Sequence, residues 1–181
     1  DPADHLTDII DNFGNTIHYE YDEEGNRIRE ERRDPEGELK KHLDFAYDPY
    51  NRLWKSINPD RNFTEYSYDG NGNIRTQKDP RGNLTLYTYD PLNRQREMRQ
   101  LGRPEDILTT YEYDTHDNLI LLTDGNRNTT GCFYDDFTKL NQTLSPDTGK
   151  TTYRYDEASN LIQKTDQKGT ITTYAYDALN R

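Results

Sequence analysis

Valine is absent from this chain of 181 residues, and the other aliphatic side chains are scarce. Leu, Ile and Phe together number only 31, whereas the formal net charge is -11. This combination is typical of disordered chains, which cannot bury enough apolar surface to fold. The aromatic residues argue against disorder, since they make up 12 % of the chain and include 15 tyrosines. Whether the chain folds therefore depends on how these tyrosines are arranged.

Other shortages exclude several classes of function. The single cysteine, Cys132, permits neither an internal disulfide nor a cysteine-based zinc site. No apolar run approaches the roughly 18 residues of a membrane-spanning helix, so we expect no membrane insertion. The acidic balance also disfavours nucleic acid as a partner, because phosphate contacts need clustered Lys and Arg.

Tyr-Asp pairs recur along the whole chain. The steps between successive pairs are 26, 21, 21, 24, 21, 21 and 21 residues, and Asp1 stands another 21 residues before Asp22. Five identical steps indicate a tandem repeat of about 21 residues. The pairs are Tyr21-Asp22, Tyr47-Asp48, Tyr68-Asp69, Tyr89-Asp90, Tyr113-Asp114, Tyr134-Asp135, Tyr155-Asp156 and Tyr176-Asp177.

Each repeat predicts two short strands joined by tight turns. The run that ends at a Tyr-Asp pair alternates in the period of a strand, as in Leu84 to Tyr89. A turn rich in Pro, Gly, Asn and Asp comes before this run, and a second turn follows the aspartate, whose side chain can bond the backbone there. No stretch has the apolar spacing of a helix. The sequence therefore predicts an all-β fold of tandem antiparallel hairpins.

Two positions within the repeat constrain the packing. The residue two before each paired tyrosine is aromatic, except Cys132, and it lies on the same strand face as that tyrosine. The residue between these two positions lies on the opposite strand face and varies in type, so we expect that opposite face to be solvated. The residue four after each aspartate alternates between a basic residue and Asn, which makes the true period about 42 residues and predicts two non-equivalent environments for successive hairpins. This position reads His5, Asn26, Arg52, Asn73, Arg94, Asn118, Lys139, Asn160 and Arg181.

The repeats occupy residues 1–181 as a single array segment of about eight units, which starts and stops within a repeat. Departures from the repeat length fall in two places, both charged or polar. We therefore expect longer loops near residues 23–44 and 95–103, at hairpin tips that extend outward.

Residues Asp79 to Arg94 carry nearly the whole pattern Asp-Pro-x-Gly-Asn-x-Thr-x-Tyr-x-Tyr-Asp-x-x-x-Asn/Arg-Leu, which resembles the RHS/YD repeat. The resemblance covers essentially all 181 residues. It implies that the hairpins stack into a curved, spiralling sheet, which in that family is a section of a larger hollow shell. Members include bacterial polymorphic toxins, type VI effectors, insecticidal toxin-complex cocoon proteins and the animal teneurins.

The resemblance also implies a non-catalytic, structural function: part of a shell that encapsulates or presents a toxin or effector domain of the same polypeptide. The implied partners are neighbouring repeats and a C-terminal toxin domain, and the implied location is secreted or cell-surface, in a bacterium that exports the protein by a dedicated secretion system. The family's aspartic-protease-like cleavage site and its toxin domain have no match in this sequence. The alternative is an extracellular adhesion or carbohydrate-binding surface, and open strand edges allow self-association.

No residues stand out as a catalytic, cofactor-binding or metal site. The Tyr-Asp pairs are assigned to the architecture, since the same pair at every junction of strand and turn suits packing and turn capping. No two carboxylates are singled out for glycoside hydrolysis, the four histidines lack metal-ligand spacing, and Cys132 reads as a small buried hydrophobe. Calcium at a turn such as Asp69 to Asn73 is a minor alternative, because Pro80 stands at the twelfth loop position in place of Glu. We expect no enzymatic activity and no cofactor.

Overall fold

The computed structural model describes residues 4–102, 104–177 and 179–181, which form strands and turns without any helix. The chain divides into two units, Asp1–Leu86 and Tyr87–Arg181, and the division falls inside one strand. Across the same residues there is no helix long and apolar enough to cross a membrane.

The first unit is a run of antiparallel hairpins in which each strand pairs with the next along the chain. The boundary between the two units falls in the middle of β8, the last strand of this run. The strands are β1 (Asp8–Ile10), β2 (Thr16–Tyr21), β3 (Arg27–Arg33), β4 (Leu39–Tyr47), β5 (Leu53–Ile57), β6 (Phe63–Tyr68), β7 (Ile74–Lys78) and β8 (Leu84–Tyr89).

The second unit repeats the same antiparallel meander. The predicted all-β fold of tandem hairpins is therefore confirmed in both units. The strands are β9 (Gln95–Gln100), β10 (Ile107–Tyr113), β11 (Leu119–Thr123), β12 (Thr129–Tyr134), β13 (Leu140–Ser145), β14 (Gly149–Tyr155), β15 (Leu161–Thr165) and β16 (Ile171–Thr173).

A β-bulge comes directly before the paired tyrosine wherever the register is described. In β10, for example, Glu112 pairs with Leu121 but Tyr113 pairs with Leu119, so one residue of β11 is skipped. Bulges bend a strand and redirect the next side chain. The same shift lies at Glu20/Tyr21, Ala46/Tyr47, Ser67/Tyr68, Phe133/Tyr134 and Arg154/Tyr155.

Neither unit has a conventional hydrophobic core. Among the described residues no hydrophobic side chain is buried, and the strands contact only their neighbours along the chain. In β10 the rings of Tyr111 and Tyr113 are half-buried while Glu112 between them is exposed, and β2, β6, β8, β12 and β14 show the same pattern. This confirms the predicted faces, although Ala46 of β4 is half-buried. Stability thus comes from many half-buried contacts between adjacent repeats.

The extra residues near 23–44 lie in strands, and the expected long loop is wrong. They extend β3 and β4, and the turn between these strands keeps the same tight form as elsewhere, with Asp34 accepting the N–H of Glu38 at 2.7 Å. The charged side chains of this segment do not all point into solvent, because Glu30 and Glu31 are only 9 % and 8 % exposed. Flanking arginines make this possible: Arg32 lies 3.1 Å from Glu30, and Arg33 lies 2.6 Å from Glu31.

The second expected loop, near 95–103, is also largely strand. Strand β9 covers Gln95–Gln100 and pairs with β10 through contacts such as Met98 with Thr109. Residue 103 lies outside the described residues. In both places an insertion within an antiparallel pair can lengthen the ladder, which satisfies the added backbone groups better than an open loop would.

Candidate functional site

Each Tyr-Asp pair lies where a strand enters a five-residue turn that the aspartate itself closes. At Asp114 the backbone N–H donates to the carbonyl of Asn118 at 3.0 Å. Its Oδ1 accepts the N–H groups of His116 and Asn118 at 2.8 and 2.9 Å, and its Oδ2 accepts the Asn118 side-chain amide at 2.9 Å. The fourth residue, Asp117, adopts the left-handed conformation with φ 65°. The carboxylate therefore accepts the N–H groups of the turn, which have no partner on a neighbouring strand.

The same bond recurs at all eight pairs. The residue four after the aspartate donates its N–H to Oδ1, and where it is Asn or Arg its side chain can also donate to Oδ2. Asn and Arg are therefore both suited to this position, because each offers a side-chain N–H within reach of Oδ2. The backbone donors are Asn26 to Asp22, Arg52 to Asp48, Asn73 to Asp69, Arg94 to Asp90, Asn118 to Asp114, Lys139 to Asp135, Asn160 to Asp156 and Arg181 to Asp177.

In most repeats the second turn has the same construction. Asp79 accepts the N–H groups of Arg81 and Asn83 at 2.8 and 2.9 Å, and Gly82 takes the left-handed conformation with φ 87°. Sequence reasoning identified these turns by Pro and Gly but missed their equivalence to the first. The signal is present, because Asp or Asn stands four residues before the final turn residue in both. The matching bonds are Asn15 to Asp11, Glu38 to Asp34, Asn62 to Asn58, Asn128 to Asp124 and Thr170 to Asp166.

The paired tyrosine ties its repeat to the preceding one. The Tyr134 hydroxyl donates to the backbone carbonyl of Leu119 at 3.0 Å, from the end of β12 to the start of β11. In every described case the acceptor is the backbone carbonyl five residues after the paired aspartate of the preceding repeat. The sequence pattern did not predict this bond. The other described bonds join Tyr21 to Leu6, Tyr47 to Arg27, Tyr68 to Leu53, Tyr113 to Gln95, Tyr155 to Leu140 and Tyr176 to Leu161.

The period of two repeats corresponds to a difference in how the tyrosine ring is covered. In alternate repeats the basic residue four after one aspartate lies over the ring of the next paired tyrosine. The His5 and Tyr21 rings stack at 4.7 Å. The cations of the other three described cases lie over the ring centroid at distances of 4.5 Å (Arg52 on Tyr68), 4.9 Å (Arg94 on Tyr113) and 5.8 Å (Lys139 on Tyr155). In the described residues the rings of Tyr47, Tyr134 and Tyr176, which follow an Asn at this position, have no such cation over them, although Arg27 stands over the neighbouring Phe45 ring at 5.0 Å. Successive hairpins therefore differ as predicted.

Hydrogen bonding, mostly within the turns, lowers the pKa of twelve turn aspartates. At Asp114 the side chain of Asn118 has the largest effect; burial opposes it, and the N–H groups of Asn118 and His116 lower the pKa further. The carboxylates are therefore held in the charged form as acceptors. The turn aspartates with a lowered pKa are Asp11, Asp22, Asp34, Asp48, Asp69, Asp79, Asp90, Asp114, Asp124, Asp156, Asp166 and Asp177.

Replacing Asp114 by Ala should lower the midpoint of thermal unfolding by roughly 5 °C, as loss of a capping side chain does. Three N–H groups lose their acceptor in this variant. Asp114→Asn should cost less, because Asn58 occupies the equivalent place in another turn and still accepts the N–H of Asn62 at 3.0 Å. Thermal unfolding followed by circular dichroism measures both. Equal losses for the two variants would show that Oδ1 is not the essential acceptor.

The other candidate residues are not brought together into a reactive site. Cys132 is half-buried on β12, and burial raises the pKa of its thiol, which disfavours the nucleophilic thiolate. His18 pairs with Asp8 at 2.8 Å, and His42 lies 3.9 Å from Asp44.

The turn considered for calcium already uses its carboxylate. The Asp69 oxygens accept the N–H groups of Asn71 and Asn73 and the Asn73 amide at 2.9 to 3.0 Å. In residues 4–102, 104–177 and 179–181 no group of His, Cys, Asp and Glu is arranged to hold a metal ion.

Solved structures with a similar fold come from toxin complexes. The Tc holotoxin pore of Photorhabdus luminescens with a mutated TccC3 matches with a TM-score of 0.66 and 18 % identity, over 88 % of this chain and 9 % of that chain. The TcdB2-TccC3-Cdc42 structure matches with a TM-score of 0.64 and 14 % identity, over 97 % of this chain and 12 % of that chain. The TcdB2-TccC3 structure matches with a TM-score of 0.64 and 15 % identity, over 99 % of this chain and 12 % of that chain. This chain thus spans about a tenth of the length of those proteins.

No curated protein matches the chain. The RHS repeat model, however, matches residues 1–39, 68–103 and 155–181, which together are more than half of the sequence. The chain therefore belongs to the RHS repeat family.

Proposed function

We propose that this chain is a non-catalytic wall segment of an RHS-type β-shell, which encapsulates or presents a toxin or effector domain of the same polypeptide. The observation that supports the proposal is the use of the Tyr-Asp pairs. At Tyr134 the hydroxyl bonds the preceding repeat, and at Asp135 the carboxylate bonds its own turn. These polar atoms are engaged in holding the array together, which favours an architectural role for all sixteen residues of the pairs.

The lack of a core also suits a wall. Each unit is a single sheet with one face of half-buried rings and one face of exposed, mostly polar residues such as Glu112 and Arg154. A thin sheet of this kind encloses volume economically, because each repeat contributes area on both faces and needs only its neighbours for stability.

The cargo and the location are inferred from the structural neighbours, and fold analogy is their only support. Those structures are described as a Tc holotoxin pore and as TcdB2-TccC3 complexes. By analogy we place this segment within a longer polypeptide that ends in a toxin domain. We place that polypeptide outside the cell that makes it, secreted or at the cell surface, and exported from a bacterium.

The full reading frame and a protease test the proposal together. We expect further Tyr-Asp pairs in 21-residue steps and a downstream domain of different composition. In the intact polypeptide that domain should resist a protease that cleaves it within minutes when it is expressed alone. A reading frame that ends within one repeat of Arg181, or equal cleavage in both contexts, would contradict a shell.

A further inference from the structure

Asn71 stands at the tip of the turn that follows the Tyr68-Asp69 pair, and it is exposed. Gly72 comes next, and no other asparagine in the sequence is followed by glycine. The peptide nitrogen after an asparagine can attack the carbon of the side-chain amide, and a side chain on that next residue hinders the approach. Glycine has no Cβ and permits a wide range of backbone angles, so it removes the hindrance. Asn71 is therefore the asparagine whose amide the next nitrogen can reach most easily.

The turn holds the attacking nitrogen less firmly than other turns hold theirs. The Gly72 N–H donates to the carbonyl of Asp69 at 3.2 Å, whereas the equivalent bonds of the other described turns measure 2.9 to 3.1 Å. A length of 3.2 Å is at the long end of the usual range for such bonds. Gly72 has φ 90°, and a Cβ added to it would meet no atom within 4 Å outside its chain neighbours. The nitrogen that must attack thus lies in open space behind a weak bond.

Many other asparagines are held through their side chains. At Asp114, for example, Oδ2 accepts the Asn118 amide at 2.9 Å, which keeps that amide in one orientation, and the residue that follows is the bulky Leu119. In each such case the next residue is larger than glycine. The asparagines whose amides donate to a turn aspartate are Asn15, Asn26, Asn73, Asn83, Asn118, Asn128 and Asn160.

Asn126 occupies the same turn position as Asn71 and provides an internal comparison, since both residues are exposed. Oδ1 of the turn's own aspartate accepts the N–H of Asn71 at 2.9 Å and that of Asn126 at 2.8 Å. The residue after Asn126 is Arg127, whose φ of 65° is also left-handed but which carries a side chain. The two turns therefore share their construction, and the main difference at the reacting atoms is the presence of that side chain.

We propose that Asn71 is a site of spontaneous deamidation in the folded chain, and that its isoaspartate product opens the turn. The Gly72 nitrogen forms a bond to Cγ of Asn71, the bond from Cγ to Nδ2 breaks, and Nδ2 leaves as ammonia with the proton of the attacking nitrogen. Water then opens the cyclic imide. If the bond from nitrogen to Cγ breaks, an ordinary aspartate results; if the bond from nitrogen to the backbone carbonyl carbon breaks, the main chain runs through Cγ as isoaspartate. This inference does not depend on the proposed shell function.

The isoaspartate product lengthens the main chain inside the turn. It adds one carbon between the two N–H groups that Oδ1 of Asp69 accepts, those of Asn71 and Asn73 at 2.9 Å each. A carboxylate placed for the original spacing cannot hold both donors in the same geometry. The aspartate product changes only the charge of the tip, which the equivalent tip Glu24 already carries in another turn. The loss of stability should therefore follow the isoaspartate fraction.

Peptide mass mapping of the purified chain, during incubation at mildly alkaline pH, tests the site. We expect deamidation at Asn71 to be at least about tenfold faster than at Asn126 in the same molecules, because only Asn71 precedes glycine. Gly72→Asn should slow the reaction by a similar factor and keep the turn, since Asn51 and Asn93 adopt φ 59° and 62° at the equivalent position. Circular dichroism should show the same β signal in both chains.

Three results would overturn the assignment of the site. In the first, Asn71 reacts no faster than Asn126. In the second, Gly72→Asn leaves the rate unchanged. In the third, Asn71 reacts only in urea, which would mean that the folded turn protects it.

Thermal unfolding of the incubated chain tests the effect on the turn. We expect the midpoint to fall by about 3 °C as isoaspartate accumulates, which is the size of effect expected when a capping acceptor is lost. The Gly72→Asn chain incubated in parallel should keep its midpoint. A chain that mass mapping shows to be rich in isoaspartate at this position, yet whose midpoint is unchanged, would overturn the opening of the turn.

Discussion

Tyr134→Ala should lower the free energy of unfolding by about 2–3 kcal/mol, which is less than truncation of a fully buried aromatic residue costs. The Tyr134 ring is half-buried on β12, and its hydroxyl holds the Leu119 carbonyl at 3.0 Å. The variant therefore loses apolar contact and also the bond that closes the open end of the β11–β12 hairpin. Urea unfolding followed by circular dichroism gives the measurement.

Two companion variants separate these contributions. Tyr134→Phe keeps the ring and removes only the hydroxyl, so we expect a loss of about 1 kcal/mol. Glu112→Ala changes an exposed residue on the other face and should stay within about 0.5 kcal/mol of the original chain. If Glu112→Ala proved as costly as Tyr134→Ala, the assignment of the two faces would be wrong.

Acid should unfold the chain cooperatively below about pH 4. Twelve turn aspartates have a pKa lowered below the ordinary value of 3.8. For a group whose folded pKa is lowered, the stabilisation is present above the unfolded pKa and is lost as the pH falls through the folded value. Each turn then loses the charged acceptor that closes it, and the effects of many turns add along the array.

The net charge provides a check on this interpretation. Acid neutralises a chain with a formal charge of -11 down to its pI of about 4.8, so relief of self-repulsion on its own would raise stability only between pH 7 and that value. At lower pH the chain becomes net positive, and self-repulsion would lower its stability again. Thermal midpoints measured from pH 7 down to pH 3 should therefore be nearly constant at first and then fall steeply. A fall below pH 4 that high salt abolishes would mean that repulsion, and not the aspartate bonds, governs the pH dependence.

The repeat and the strands could be predicted from sequence because both are local patterns. The 21-residue step recurs in five of the seven intervals between Tyr-Asp pairs, and the alternation in Leu84 to Tyr89 identified a strand without any tertiary information. The alternation between basic residues such as Arg94 and asparagines such as Asn118, four residues after each aspartate, likewise indicated two environments for successive hairpins. In a repeat protein each unit meets mainly its neighbours, so local pattern carries most of the fold.

Features that depend on partners in space could not be read in this way. The bond from Tyr134 to Leu119 spans 15 residues and ends on a backbone carbonyl, which has no sequence signature. The segment 23–44 looked like a loop because it is charged, yet Arg32 and Arg33 neutralise Glu30 and Glu31 within β3. A buried acid is tolerated only with such partners, and the pairing of particular side chains is invisible in composition.

Electron cryo-microscopy of the polypeptide encoded by the full reading frame tests the central claim most directly. We predict a hollow shell in which these residues form part of the wall, with Tyr-Asp pairs at the junctions of strands and turns and density for another domain inside or at the opening. A solid particle, or an array of hairpins that encloses nothing, would contradict the account.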